Sequence, residues 1–154
     1  MGQFKIENNI LKEYIGNDGE TNIVVPKGVV SIASLAFMQN DSLGVVTLPE
    51  GLKVIGDSAF SDCYGMPEVI LPSTLERIES HAFYETDIER ITLPRGLKFI
   101  GWGAFGSNLC LKKITYLGTV AEFNKIQKDE PLISYRNPTY DVQCTDGIVT
   151  LREY

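Results

Sequence analysis

Histidine is nearly missing from this sequence, occurring once, at His81. A nucleophile with its base would have to be built around that residue. It occupies a slot that changes from copy to copy of the repeat described below, which reads as a surface or half-buried position without a task. No G-x-S-x-G, Walker or G-x-G-x-x-G pattern occurs, and the aspartates keep no calcium-repeat spacing. Glu50, Asp57, Asp62 and Glu68 fall together in one repeat at spacings that imply no shared pocket. Catalysis, a cofactor and a metal are therefore not expected. Cys63, Cys110 and Cys144 make an odd count without a C-x-x-C spacing, which excludes a disulfide framework or structural zinc site and leaves free, mostly buried thiols. Basic residues are outnumbered, 14 Lys and Arg against 20 Asp and Glu for a net charge of −6. Scattered as they are, they form no stripe that could follow a phosphate backbone, so nucleic acid is not an expected partner. No apolar run approaches the roughly 18 residues of a membrane span, and Met1-Gly2-Gln3-Phe4-Lys5 does not open like a signal peptide. Membrane insertion is not expected, and the chain as written reads as cytosolic.

What is present is a period. Ala-Phe recurs at Ala36-Phe37, Ala59-Phe60, Ala82-Phe83 and Ala104-Phe105, and Pro26, Pro49, Pro72 and Pro94 keep the same spacing of 22 to 23 residues. Val29, Leu52, Leu75 and Leu97 follow the prolines, then Ile32, Ile55, Ile78 and Ile100. Before the prolines lie short β-like runs, Val45-Val46-Thr47-Leu48, Val69-Ile70-Leu71 and Ile91-Thr92-Leu93, echoed by Ile114-Thr115-Tyr116. Leu43, Met66, Ile88 and Leu111 introduce them. The copy between Phe83 and Ile88 is one residue short, a deletion that fits an outward-facing bend.

A period of this length predicts a solenoid of about four coils in one domain of 154 residues. Proline ends each strand, and Gly28, Gly51 and Gly96 fit the last position of a type I turn. Thr74 in the same slot implies that a positive φ is not mandatory there. The small Ala before each Phe fits a close approach of neighbouring backbones, with Phe filling its coil. One coil buries too few apolar side chains to offset the ordering of its own backbone, so coils must stack.

Both ends read as caps on repeats spanning 23–116. Over 1–22, alternation on either side of Asn8-Asn9 predicts a β-hairpin, followed by the turn Gly16-Asn17-Asp18-Gly19. Over 117–154, Thr119-Val120-Ala121-Glu122 has capping-box spacing and predicts a helix near 120–128. Beyond a loop with Pro131 and Pro138, Thr145-Asp146-Gly147 predicts a second hairpin.

The motif L-x-x-V/I-x-L-P-x-x-L-x-x-I-x-x-x-A-F, read from Leu43 to Phe60, Met66 to Phe83 and Ile88 to Phe105, resembles the BspA-like, or Treponema-type, leucine-rich repeats of bacterial and some protist proteins. Phe4-Lys5-Ile6 through Tyr14 resembles the family's leader, and Tyr116-Leu117-Gly118-Thr119 with Cys144-Thr145-Asp146-Gly147 its terminal unit. The resemblance implies a leucine-rich repeat solenoid, right-handed and β-rich with a parallel strand ladder, an N-terminal β-hairpin cap and a C-terminal cap of short helix plus β-hairpin. It also implies that Asn40, Cys63 and Asn108, with Thr86 in the shortened copy, satisfy backbone groups of the turn. Family members are often surface-exposed, with adhesion and host-protein binding implied for some.

The function expected is non-catalytic binding of a protein or glycan, and the alternative is a structural or self-assembling repeat protein. On the strand row, Val45 and Thr47, Glu68 and Ile70, Arg90 and Thr92, then Lys113 and Thr115 should point outward. They form either a partner-binding row or an ordinary sheet face. Phe99 and Trp102 stand where other coils carry mostly polar groups. They either anchor a partner or pack against a tail containing Tyr135, Tyr140 and Tyr154.

Overall fold

The structure, a computed structural model, describes residues 2–16, 19–133 and 139–152. Asn17, Asp18, Tyr135, Pro138 and Tyr154, named above, lie outside the described residues. An antiparallel hairpin comes first, β1 (Gln3–Glu7) and β2 (Ile10–Ile15), turned at Asn8 and Asn9 with φ of 50° and 62°. Four coils follow, each with two short strands: β3 (Asn22–Val24) and β4 (Ser31–Ile32), β5 (Val45–Thr47) and β6 (Val54–Ile55), β7 (Val69–Ile70) and β8 (Arg77–Ile78), β9 (Arg90–Leu93) and β10 (Phe99–Ile100). A further turn carries β11 (Lys113–Tyr116), α1 (Val120–Lys125) and β12 (Gln127–Lys128), and β13 (Thr139–Gln143) and β14 (Ile148–Arg152) form a second antiparallel hairpin.

Strands of two or three residues persist only where the next coil repeats the pairing, and three ladders do so here. The first strands align in parallel as β3-β5-β7 and β9-β11-β13, joined by the bridge Glu68–Arg90. The second strands align as β2-β4-β6-β8-β10-β12, with β1 outside β2. A third ladder runs through the Ala-Phe turns. Phe37 donates its N–H to the Ala59 carbonyl at 2.8 Å, Phe60 to Ala82 and Phe83 to Ala104 at 2.9 Å each. The buried alanines therefore lie where neighbouring backbones bond, as their size suggests.

The solenoid makes about five turns, one more than the dipeptide count. The segment after Tyr116 lacks both Ala-Phe and Leu-Pro, yet β12 pairs with β10 and the Pro131 and Leu132 carbonyls accept from Gly103 and Phe105. Backbone pairing completes the coil where the side-chain signature has lapsed. The helix is shorter than the spacing suggests. Thr119 and Glu122 form the capping box, but Ile126 leaves the helix at φ −60°, ψ 128° and frees Gln127 for the ladder. The proline turn also differs from expectation. Leu52 N–H donates to the Pro49 carbonyl, so Gly51 sits third in its turn at φ 99°, the type II pattern, while Gly96 and Thr74 hold no positive φ.

A column of stacked rings fills the interior. Tyr14 lies 5.1 Å from Phe37, Phe37 4.6 Å from Phe60, Phe60 5.4 Å from Phe83 and Phe83 6.1 Å from Phe105, centroid to centroid. Leu52, Leu75, Ile55 and Ile78 are fully buried around it. Keeping each ring inward bends the backbone sharply on both sides of Ala-Phe. The residue two before Phe is left-handed in every copy, Leu35, Ser58, His81 and Gly103, and so is the residue two after, Gln39, Asp62, Glu85 and Ser107. Only one of these eight is glycine, so the turns hold strain of about 1 kcal/mol at most positions.

Outside, charged residues pair along the coil axis. Lys53 and Lys98 both donate to Glu76, at 2.9 and 2.7 Å. Hydrogen bonds from Lys98 and then Lys53 pull the Glu76 pKa from 4.5 down to about 2. A depressed carboxylate favours the folded chain above the ordinary pKa, and that contribution is lost as pH falls towards the folded value.

Three outcomes follow. Phe60→Ala should cost about 3–5 kcal/mol in urea unfolding, and Gln39→Gly or Ser58→Gly should add about 0.5–1 kcal/mol by relieving the left-handed positions. Glu76→Gln should flatten the fall of stability between pH 4.5 and 2 in a pH series of unfolding midpoints, the window set by its shift.

Candidate interaction surface

Along the first ladder the side chains alternate, as a strand dictates. Ile23, Val46, Val69, Ile91, Ile114 and Val142 point into the core. Between them the outward residues form two columns across the strands. One runs Val24, Thr47, Ile70, aligned in register, then Thr92 and Thr115, also in register. The other carries Val45, Glu68, Arg90 and Lys113, with Glu68 beside Arg90 and Arg90 beside Lys113. Val45, Thr47 and Thr115 are half-buried and Glu68, Arg90, Thr92 and Lys113 exposed. Ile70 is 47% and Val24 67% exposed. Val24 was missed in the sequence because its strand lacks the introducing leucine slot, although it precedes Pro26 by the same two residues that separate Thr47 from Pro49.

The charges on this face are unevenly matched. Lys112, next to Lys113, donates to Glu89 at 2.8 Å. That bond, with the added field of Arg90, holds the Glu89 carboxyl below its ordinary pKa. Among the described residues Arg90 and Lys113 enter no ion pair within 4.0 Å. Like charges in register on adjacent strands repel.

The two aromatic candidates separate. Phe99 is 6% exposed and the Arg77 guanidinium lies 4.1 Å above its ring, so it offers no anchor to a partner. The reason is the second ladder: Phe99 belongs to β10, where β8 and β12 flank it and a long cation covers it. Slot comparison could not see that cover. Trp102 stays 40% exposed, its indole 4.8 Å from the His81 ring in an edge contact, and His81 is 5.2 Å from Tyr84. These three rings form a small patch on the Ala-Phe turns, away from the strand row. Of the tail rings considered beside Trp102, Tyr140 donates its hydroxyl to the Asn108 carbonyl at 2.9 Å, while Tyr135 and Tyr154 lie outside the described residues.

In three copies the turn slot after Phe, held by Cys63, Thr86 and Asn108, is engaged in the turn's own hydrogen bonds. Cys63 donates its thiol to the Phe37 carbonyl at 3.0 Å, and Asn108 donates to the Phe83 carbonyl at 2.7 Å while its own oxygen accepts from the Thr86 N–H and hydroxyl. Burial pushes the Cys63 pKa up to about 12 and raises that of Cys144, while Cys110 is exposed. A shallow cleft of about 220 Å³ opens nearby between Tyr64, Glu85, Asp87 and Leu109. Its carboxylates are engaged, Glu85 by the Tyr64 hydroxyl and Asp87 by the Gly65 N–H. Among the described residues no group of three or more His, Cys, Asp or Glu could hold a metal ion, and no helix is long and apolar enough to cross a membrane.

Comparison with known proteins fits this geometry. The family model for the BspA type leucine rich repeat region matches residues 8–127 in 6 copies. The pneumococcal vaccine antigen PcpA is 30% identical with a TM-score of 0.70, over 76% of this chain and 29% of that one. The leucine rich repeat protein of T. pallidum is 29% identical with a TM-score of 0.66, over 78% and 63% respectively. A leucine-rich repeat protein from Bacteroides ovatus, 20% identical with a TM-score of 0.51, shares the fold over 75% of this chain and 38% of its own. The chain thus spans less than two thirds of the length of each. No curated protein matches it.

Thiol titration checks the turn assignment. One cysteine, Cys110, should react promptly with a disulfide reagent at pH 8 in the native protein, and all three after denaturation.

Proposed function

The chain belongs to the BspA-type leucine-rich repeat family, and from that membership we propose that it is a non-catalytic protein-binding module whose partner lies on the strand face from β3 to β13. Leucine-rich repeats are protein-interaction scaffolds, and the whole of 1–154 serves as one such unit in this reading. The observation that carries it is the contrast between the two sides of one ladder. The central inward column, Ile23, Val46, Val69, Ile91 and Ile114, is Val or Ile in every coil, whereas outward positions change from Val24 and Val45 through Glu68 and Ile70 to Arg90 and Lys113. Packing explains the first set and places no demand on the second. Val45, Thr47, Glu68, Ile70, Arg90, Thr92 and Lys113 are the proposed contact residues, with Trp102 as a separate anchor on the turn side. Adhesion or binding of a host protein is the finer form of this reading.

A second reading has its own observation. β3 and β14 end the first ladder, and Val24 and Ile148, 57% exposed, lie on these end strands. Head-to-tail pairing of such edges would build an open assembly of copies.

Capture from lysate and from extracellular matrix protein, with partners identified by mass spectrometry, tests the first reading. Ile70→Asp/Thr92→Asp should lose the partner that the wild type holds, with an unchanged circular dichroism spectrum, whereas Lys53→Gln on the second ladder should keep it. Loss only in Trp102→Ser would move the site to the turns. Sedimentation of a strict monomer at high concentration would remove the assembly reading.

A further inference from the structure

On the strand face the charges read in sequence across neighbouring strands: Glu68 immediately before β7, Arg90 on β9, Lys113 on β11 and Asp141 on β13. Glu68 bridges Arg90, Arg90 is in register with Lys113, and Ile114 is in register with Val142, which sets Lys113 beside Asp141. The order is acid, base, base, acid. Two cations stand together at the centre, in no ion pair among the described residues, on a chain of net charge −6. Of the nearby carboxylates, Asp141 accepts from the Thr150 hydroxyl at 2.6 Å and Glu89 from the Lys112 ammonium at 2.8 Å, so both are engaged elsewhere. Next to the cations, Thr92 and Thr115 are in register one column away and bring two hydroxyls to the same face.

We propose that Arg90 and Lys113 receive a single carboxylate side chain of a bound polypeptide, with an aliphatic residue of the same segment on Ile70. The inference rests on the strand-face reading above and names the chemistry of its partner. Strands about 4.8 Å apart let one carboxylate accept from the guanidinium and the ammonium at once, and the hydroxyls of Thr92 and Thr115 can donate beside it. The flanking acids set the limit. A polyanion such as a sulfated glycan or nucleic acid would lay its next charges against Glu68 and Asp141, and like charges across an interface exclude partners. A lone carboxylate meets only the two cations. Ile70 is 47% exposed and lies one strand before Arg90 in the adjacent column. Its distance from the midpoint of the cations is about 10 Å, from strand spacing and residue rise. An extended peptide covers that distance in about three residues, so the recognised pattern is an aliphatic residue and an acidic one roughly three positions apart.

A displayed library of random dodecapeptides, panned on the wild-type protein and on Arg90→Gln/Lys113→Gln, tests this directly. Both outward side chains can be exchanged without touching the core, and matching unfolding midpoints would establish that the variant is folded. Wild-type pools should be enriched in one Asp or Glu beside an aliphatic residue at that spacing, and the variant's pools should lose the acid and keep the aliphatic. A selected peptide, resynthesised, should bind the variant about five- to tenfold more weakly, the size of two exposed charge contacts. Its affinity for the wild type should also fall as salt is raised. Pools with no acidic enrichment, or with the same enrichment on both proteins, overturn the carboxylate site but leave the strand face as a binding surface if Ile70→Asp still abolishes selection. Selection that survives Ile70→Asp as well overturns both. Retention of the wild type on heparin without acidic peptides in the pool overturns the proposal in favour of a polyanion.

Discussion

Everything in this molecule depends on a ring of one coil lying flat against the ring of the next. From Tyr14 to Phe105 the centroids stay within about 6 Å of their neighbours, and that spacing matches the rise that parallel backbone pairing imposes between coils. Backbone and side chain thus ask for the same repeat distance. The cost appears on either side of Ala-Phe, where seven residues with side chains accept left-handed backbone so that the ring can face inward. A fold that tolerates this strain in every coil has its stability in the column and the ladders, which leaves the outer face free to vary.

That division explains how far the sequence could be read. Residues that face the column recur at every turn, so Ala-Phe, Leu-Pro and the Ile slot disclosed the solenoid, its strand row and its family. Two-residue strands such as β6 and β8 have no period of their own, and the second ladder was visible only as a row of isoleucines. The last coil escaped for a related reason: its ladder uses carbonyls of Pro131 and Leu132, and backbone bonds leave no mark on residue identity. Thr119 to Glu122, in contrast, is a side-chain device and located its helix, although the ladder claimed the helix's last residues.

The surface was less legible than the core. Alternation along a strand is a local rule, so the outward direction of Val45, Glu68, Ile70, Arg90 and Lys113 could be read directly. Phe99 misled because its exposure is decided by Arg77, 22 residues earlier, whose guanidinium lies over the ring. A slot comparison treats each coil alone, whereas cover comes from the neighbouring coil. Trp102 escaped such cover and meets His81 edge-on. The two aromatics therefore have different surroundings despite standing three residues apart.

In the proposed function one ladder holds the fold with its inner side and the partner with its outer side. A saturation scan from β3 to β13, displayed on cells and sorted separately for protease resistance and for partner capture, measures both sides at once. Polar substitutions at Val46, Val69, Ile91 and Ile114 should lose resistance and capture together, while substitutions at Ile70, Arg90, Thr92 and Lys113 should lose capture alone. Capture indifferent to the outward positions and sensitive instead to His81, Tyr84 and Trp102 would contradict the account and place the function on the turns.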